Sequence, residues 1–149
     1  MTLEAACLEL AKYAFHKNPT GGDRAFYKLL EQSSLHTHTE NGDLTSMIVD
    51  THFQVNFQGQ TVPMSGIGYV ASYPEFRGNG AASQLMTDIL RENYQNETIF
   101  SYLAPFSYGF YSKFGYSYVF NQKHYEINAV DFPVGAKTDL TVKRLAYAT

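Results

Sequence analysis

The stretch from Leu44 to Tyr73 keeps a period of two and is rich in β-branched and aromatic residues, so a large share of the chain is committed to a sheet. Gln58-Gly59-Gln60 interrupts it as a hairpin turn would. The pattern predicts three strands in an antiparallel meander, roughly Leu44 to Asp50, His52 to Phe57 and Gln60 to Ser72. Helical spacing brackets this region. Leu3, Ala6, Cys7, Leu10, Tyr13 and Ala14 recur at intervals of three and four, with Thr2 placed as a cap, which predicts a helix from about Leu3 to Phe15. Asn18-Pro19-Thr20-Gly21-Gly22 breaks it as an elbow, and Ala25, Phe26, Leu29 and Leu30 restart the helical period. Downstream, Ala81, Leu85 and Ile89, with Met86 and Leu90 on a neighbouring row, predict an amphipathic helix over Gly80 to Tyr94. A short strand is expected at Thr98 to Leu103 and one or two helical turns between Phe106 and Phe114. Further strand-like segments lie at Tyr116 to Phe120, His124 to Ile127 and Asp139 to Leu145.

At 149 residues and 16.8 kDa the chain suits a single domain with one core. Its 44% hydrophobic and 17% charged residues place it among ordinary globules and outside the disordered class. The 12 Tyr and 11 Phe are read mostly as packing. A net charge of -3, with no clustering of Lys and Arg, speaks against nucleic acid as a partner. The lone Cys7 reads as a small buried thiol, which points to a reducing, cytoplasmic setting. No window approaches the roughly 20 apolar residues of a membrane span.

The segment richest in chemistry is Gly66-Ile67-Gly68-Tyr69-Val70-Ala71-Ser72-Tyr73-Pro74-Glu75-Phe76-Arg77-Gly78-Asn79-Gly80, a strand running through a glycine-rich turn into a helix. Unpaired N–H groups at a helix start, the positive end of its macrodipole and glycines that admit close approach together suit a phosphate. Arg77 adds charge. Pro74 cannot donate to a ladder, so the strand should end or distort there and leave main-chain groups free for an extended ligand. Two nucleotide fingerprints do not fit: Ser83 stands where a dinucleotide motif needs its third Gly or Ala, and the Lys-Ser or Lys-Thr of a P-loop is missing.

Arg77, Gly80 and Ala82 match the core motif of the GCN5-related N-acetyltransferase (GNAT) superfamily, which the chain resembles. The fuller run from Val70 to Gly80, with Leu103-Ala104-Pro105-Phe106 and Phe110-Tyr111-Ser112-Lys113-Phe114-Gly115-Tyr116 downstream, is similar to the N-terminal domain of the Eis-type (enhanced intracellular survival) branch. The resemblance runs from Tyr13 to about Phe120. It implies an α/β acyl-CoA N-acyltransferase fold, a mixed and mostly antiparallel sheet flanked by helices, with the cofactor entering where two strands diverge. It also implies an acetyl-CoA cosubstrate whose pyrophosphate lies on Gly78, Asn79, Gly80, Ala81, Ala82 and Ser83 beside Arg77. The pantetheine arm would run along Val70, Ala71 and Ser72, with Phe106 and Ser107 near the cofactor. Tyr111 matches the family's catalytic tyrosine, a phenol able to protonate the leaving thiolate when an amine attacks the thioester.

In that branch a C-terminal domain supplies its terminal carboxylate as general base. This chain then corresponds to a fragment of such a protein, to a short relative, or to a domain without that route. Substitute bases are His52, His124, Glu75 and Glu126. His36 and His38 are read as members of a solvated Thr-rich loop rather than metal ligands, and no metal is expected. The acceptor class is a primary amine on a small molecule or a protein lysine, and homo-oligomer formation is left open. The alternative to an enzyme is a non-catalytic acyl-CoA-binding or assembly module of a larger protein.

Overall fold

The computed structural model describes residues 2–132, 134–135, 139–141 and 143, and the chain divides into two units, Met1–Ser117 and Tyr118–Thr149. The first unit holds every helix of α type and every strand among the described residues. Helices α1 (Leu3–Phe15) and α2 (Gly22–Leu30) precede strands β1 (Ser33–Glu40), β2 (Asp43–Phe57) and β3 (Gln60–Ser72). A 3-10 turn at Pro74–Phe76 leads to α3 (Ala81–Gln95), β4 (Phe100–Leu103) and α4 (Tyr108–Tyr111). In the second unit a single 3-10 turn, Ala129–Asp131, is formed among the described residues.

The strands lie in the order β1-β2-β3-β4; the first three are antiparallel and β4 runs parallel to β3. Alternation along β2 sends Met47 and Ile48 to opposite faces, and each seeds a core. On one face Cys7, Leu8, Leu10 and Ala11 of α1 and Phe26 of α2 pack on Met47 and Ala71. On the other, Leu85, Met86 and Ile89 of α3 close over Ile48, Ile67 and Tyr111. The chain is therefore an α/β protein, a mixed sheet with helices on both faces. Thr2 caps α1 as expected, its Oγ1 accepting from the Ala5 N–H at 3.3 Å.

The sheet departs from the expected meander at its first strands. Leu44 to Phe57 is one strand, not two: Thr51, at the expected break, is buried and paired on both sides, with Ser33 and Gly66. The third antiparallel strand is β1, which contains His36 and His38. Ser33 to Glu40 carries few apolar residues and so lacks the alternation that betrays a strand, yet most of its side chains are half-buried. His38 Nδ1 lies 2.8 Å from Thr45 Oγ1 and His36 Nε2 lies 3.8 Å from the Glu92 carboxylate. Asn41-Gly42, with φ of 53° and 90°, makes the β1–β2 hairpin, and Gln58-Gly59 repeats that geometry at 50° and 83° between β2 and β3. Tyr116 to Phe120 and His124 to Ile127 form no strand. Their alternation meets the pattern, but no ladder partner faces them among the described residues. Of Asp139 to Leu145, residues 139–141 and 143 form no strand and the remainder lies outside the described residues.

Candidate active site

The site begins where β3 loses its neighbour. Pairing with β4 runs from Met64↔Phe100 to Ile67↔Leu103 and stops, because Ala104 and Pro105 follow and proline has no N–H to extend the ladder. From Gly68 to Ser72 the β4-facing edge of β3 is open, while Ala71 and Ser72 still pair with Met47 and Ser46 of β2. A bulge re-aims this edge. Met47 pairs with Ala71 and Val49 with Gly68, so Tyr69 and Val70 together oppose Ile48. Tyr69 takes up the distortion at φ 49°, a left-handed conformation that a bulky residue adopts at a cost of about 1–3 kcal/mol. Its ring meets that cost by packing edge-on against Phe15 at 5.7 Å and Phe26 at 5.1 Å.

Beyond the open edge the chain turns through Pro74–Phe76 and enters α3. Gly78 and Gly80 have φ of 87° and 85°, and a Cβ at either would touch nothing within 4 Å. Conformation is therefore what requires glycine there, not crowding. Gly80 is the N-cap and contributes no side-chain bond, and no acidic residue lies in the first turn of α3. Among the described residues the N–H groups from Gly78 to Ser83 have no hydrogen-bond partner, the first intrahelical bond being Gln84 N–H to Gly80 O at 2.9 Å. Arg77, exposed and without an ion pair among the described residues, stands at the same end. A row of free donors, a helix dipole and a guanidinium can hold an anion.

Tyr111, at the end of α4, is 3% exposed. Its ring is fenced by Phe110 at 5.0 Å, Phe106 at 5.3 Å and Tyr116 at 6.1 Å. Burial, with a smaller contribution from Tyr116, pushes its phenol up to about 12. It therefore keeps its proton at neutral pH. The cluster around it includes Val70 from the open edge of β3 and Leu85 and Met86 from α3, so one core supports the strand edge, the glycine-rich helix start and the phenol.

A family model described as acetyltransferase (GNAT) domain matches residues 3–119. The chain belongs to the GNAT acetyltransferase domain family. A conserved protein of unknown function from Enterococcus faecalis V583, described as a probable N-acyltransferase, is 43% identical over 75% of this chain with a TM-score of 0.71. A GCN5-related N-acetyltransferase from Kribbella flavida is 23% identical over 74% of this chain, with a TM-score of 0.65. This chain spans 29% of the length of each of those two proteins. A predicted acetyltransferase from Clostridium acetobutylicum, solved with acetyl-CoA, shares the fold at 16% identity and a TM-score of 0.66, with 85% of this chain and 90% of that one covered. No curated protein matches the chain.

In this GNAT chain the residues singled out from sequence fall at three neighbouring stations. Val70, Ala71 and Ser72 lie on the open edge of β3. Arg77, Gly78, Asn79, Gly80, Ala81, Ala82 and Ser83 form the turn and first residues of α3, and Phe106, Ser107 and Tyr111 lie before and in α4. The suggested bases divide between the two units. His52 Nε2 is tied to Ser34 Oγ at 2.9 Å, Glu75 is exposed in the 3-10 turn, and His124 and Glu126 belong to the second unit. Among the described residues no three His, Cys, Asp or Glu side chains converge as a metal set, and no helix is long and apolar enough to cross a membrane.

The elbow between α1 and α2 takes part in a cavity of about 260 Å³. It is lined by Ala11, Phe15, Lys17, Asn18, Pro19 and Thr20 and floored by Gly68 and Tyr69, the residues at which β3 loses β4. Sequence alone shows the elbow, but the register bulge that turns the floor toward it leaves no compositional trace.

Proposed function

We propose that this GNAT domain, of the Eis-type branch, moves the acetyl group of acetyl-CoA to a primary amine on a small molecule or a protein lysine. The observation that carries it is the open β3 edge lying between the unpartnered N–H row of α3 and the buried phenol of Tyr111. In this arrangement Gly78 to Ser83 and Arg77 hold the pyrophosphate, and the bared main chain of Val70 to Ser72 pairs with the pantetheine arm. Phe106 and Ser107 border the thioester end. The bound cosubstrate supplies an activated acyl carbon. The amine reaches it through the elbow cavity, over Gly68 and Tyr69.

As the new C–N bond forms and the C–S bond breaks, the amine gives up a proton to base or water and the thiolate leaves. Tyr111 holds the proton the leaving sulfur takes, and its elevated pKa keeps that proton in place beforehand. The setting is a reducing, cytoplasmic one, consistent with the buried free thiol of Cys7.

The test is release of CoA thiol from acetyl-CoA across a panel of amines, with wild type and Tyr111→Phe. Turnover with at least one amine, slowed about a hundredfold in Tyr111→Phe with acetyl-CoA affinity kept, is the expected result. Binding without turnover across the panel would reduce the domain to an acyl-CoA-binding module, and undiminished turnover in the variant would remove Tyr111 from the mechanism.

A further inference from the structure

Behind Tyr111, side chains from four segments form a line of hydroxyl groups ending on a carboxylate. Ser65 Oγ of β3 donates to Asp50 Oδ1 of β2 at 2.6 Å, and Ser101 Oγ of β4 donates to Ser65 Oγ at 3.5 Å, the longest step. Tyr116, after α4, shares a short hydrogen bond with Ser101. Asp50 and Ser65 are 3% and 1% exposed. Each hydroxyl has one proton to give. With the Ser65 proton on the carboxylate and the Ser101 proton on Ser65, Ser101 can only accept from Tyr116. The carboxylate thereby sets the direction of every bond in the line, and bonds aligned in this way strengthen one another.

The placement of this line is informative. Ser65↔Ser101 is the second of the four paired rungs of β3 and β4, two rungs before the last, Ile67↔Leu103, past which the split begins. At its other end the Tyr116 ring stands 6.1 Å from Tyr111 at 73°. Withdrawing a carboxylate from water is costly, and an apolar residue at position 50 would serve packing alone at lower cost.

We infer that Asp50, Ser65, Ser101 and Tyr116 are a positioning set that pins the split between β3 and β4 and fixes the Tyr111 ring against it. This rests on Tyr111 being the general acid. The set does not touch the reacting atoms; it limits where the phenol can point, and a misplacement of about 1 Å at such a site can cost up to a hundredfold in rate.

Tyr116→Phe keeps the ring against Tyr111 and removes only the hydroxyl; Ser65→Ala breaks the line in its middle; Asp50→Asn keeps the shape and an acceptor oxygen without the charge. The expected result for Tyr116→Phe and Ser65→Ala is a fall in kcat of about tenfold or more, with the acetyl-CoA Kd within about twofold of wild type. In the Tyr111→Phe background the same changes should cost nothing further. The apoprotein gives a second readout: labelled at tyrosine Cζ, wild type should show one sharp Tyr111 resonance, and Tyr116→Phe a broadened or split one. Unchanged kcat with an unchanged Tyr111 resonance in Tyr116→Phe would overturn the inference, as would an equal loss with and without the Tyr111 hydroxyl. If Tyr111→Phe alone left turnover intact, the catalytic assignment would fall by itself, and the Tyr111 resonance would still decide whether the set orders the ring. Should Ser65→Ala or Asp50→Asn fail to fold, Tyr116→Phe decides.

Discussion

Tyr111 is a phenol buried in an aromatic pocket. Its ring is fixed by three aromatic neighbours, and its phenol is held well above the ordinary value of 10.0. The raised pKa also sets a pH dependence. Between pH 10 and about pH 12 the unfolded chain releases this proton before the folded protein does, so the contribution to stability is whole below pH 10 and is lost as pH rises toward 12. Chemical unfolding as a function of pH should therefore show an alkaline decline that is shallower in Tyr111→Phe than in wild type; equal slopes would mean that the phenol is not held in its neutral form. Cys7 offers a parallel case. It is fully buried, and desolvation, aided by Glu4, pushes its thiol up to about 11. A thiol reagent at pH 8 should leave it unmodified until the protein unfolds, and rapid labelling of native protein would contradict its place on the buried face of α1.

At the scale of elements, α3 serves both core and ligand, because its start presents unpaired donors while Leu85, Met86 and Ile89 anchor the rest. Replacing the fully buried Ile89 by Ala should cost about 2–5 kcal/mol in chemical unfolding, since the removed methyl groups leave a cavity on the sheet. A loss below about 1 kcal/mol would mean α3 is not locked down there. The helices were legible in the sequence because each has one apolar stripe and a recognisable boundary: Thr2 for α1, Gly80 for α3. The turn at Gln58-Gly59 was equally plain. Strand β1 was not, since Ser33 to Glu40 is mostly Ser, Thr and His, and burial of such residues is decided by partners elsewhere in the chain. The neighbouring Asn41-Gly42 was the one local signal for it. The bulge at Tyr69 and Val70 left no signal at all, because register is a property of two strands together.

For the molecule as a whole, the proposed donor side of the site rests on Arg77 to Ser83 and on Tyr111, which short motifs mark in the sequence. The open edge of β3, the elbow cavity and the line from Asp50 to Tyr116 arise only when distant segments meet. Serines 65 and 101 lie far apart in sequence and become neighbours through a parallel pairing with α3 between them. These parts converge on one claim: the start of α3 and the split between β3 and β4 together bind acetyl-CoA. Calorimetric titration of acetyl-CoA into wild type and Gly80→Asp tests it most directly. The substitution sets a side chain where φ is 85° and a negative charge among the free N–H groups. Saturable binding of one acetyl-CoA per chain in wild type, weakened about tenfold or more in Gly80→Asp, is the predicted result. No binding at millimolar acetyl-CoA, or equal affinity in the two proteins, would contradict it.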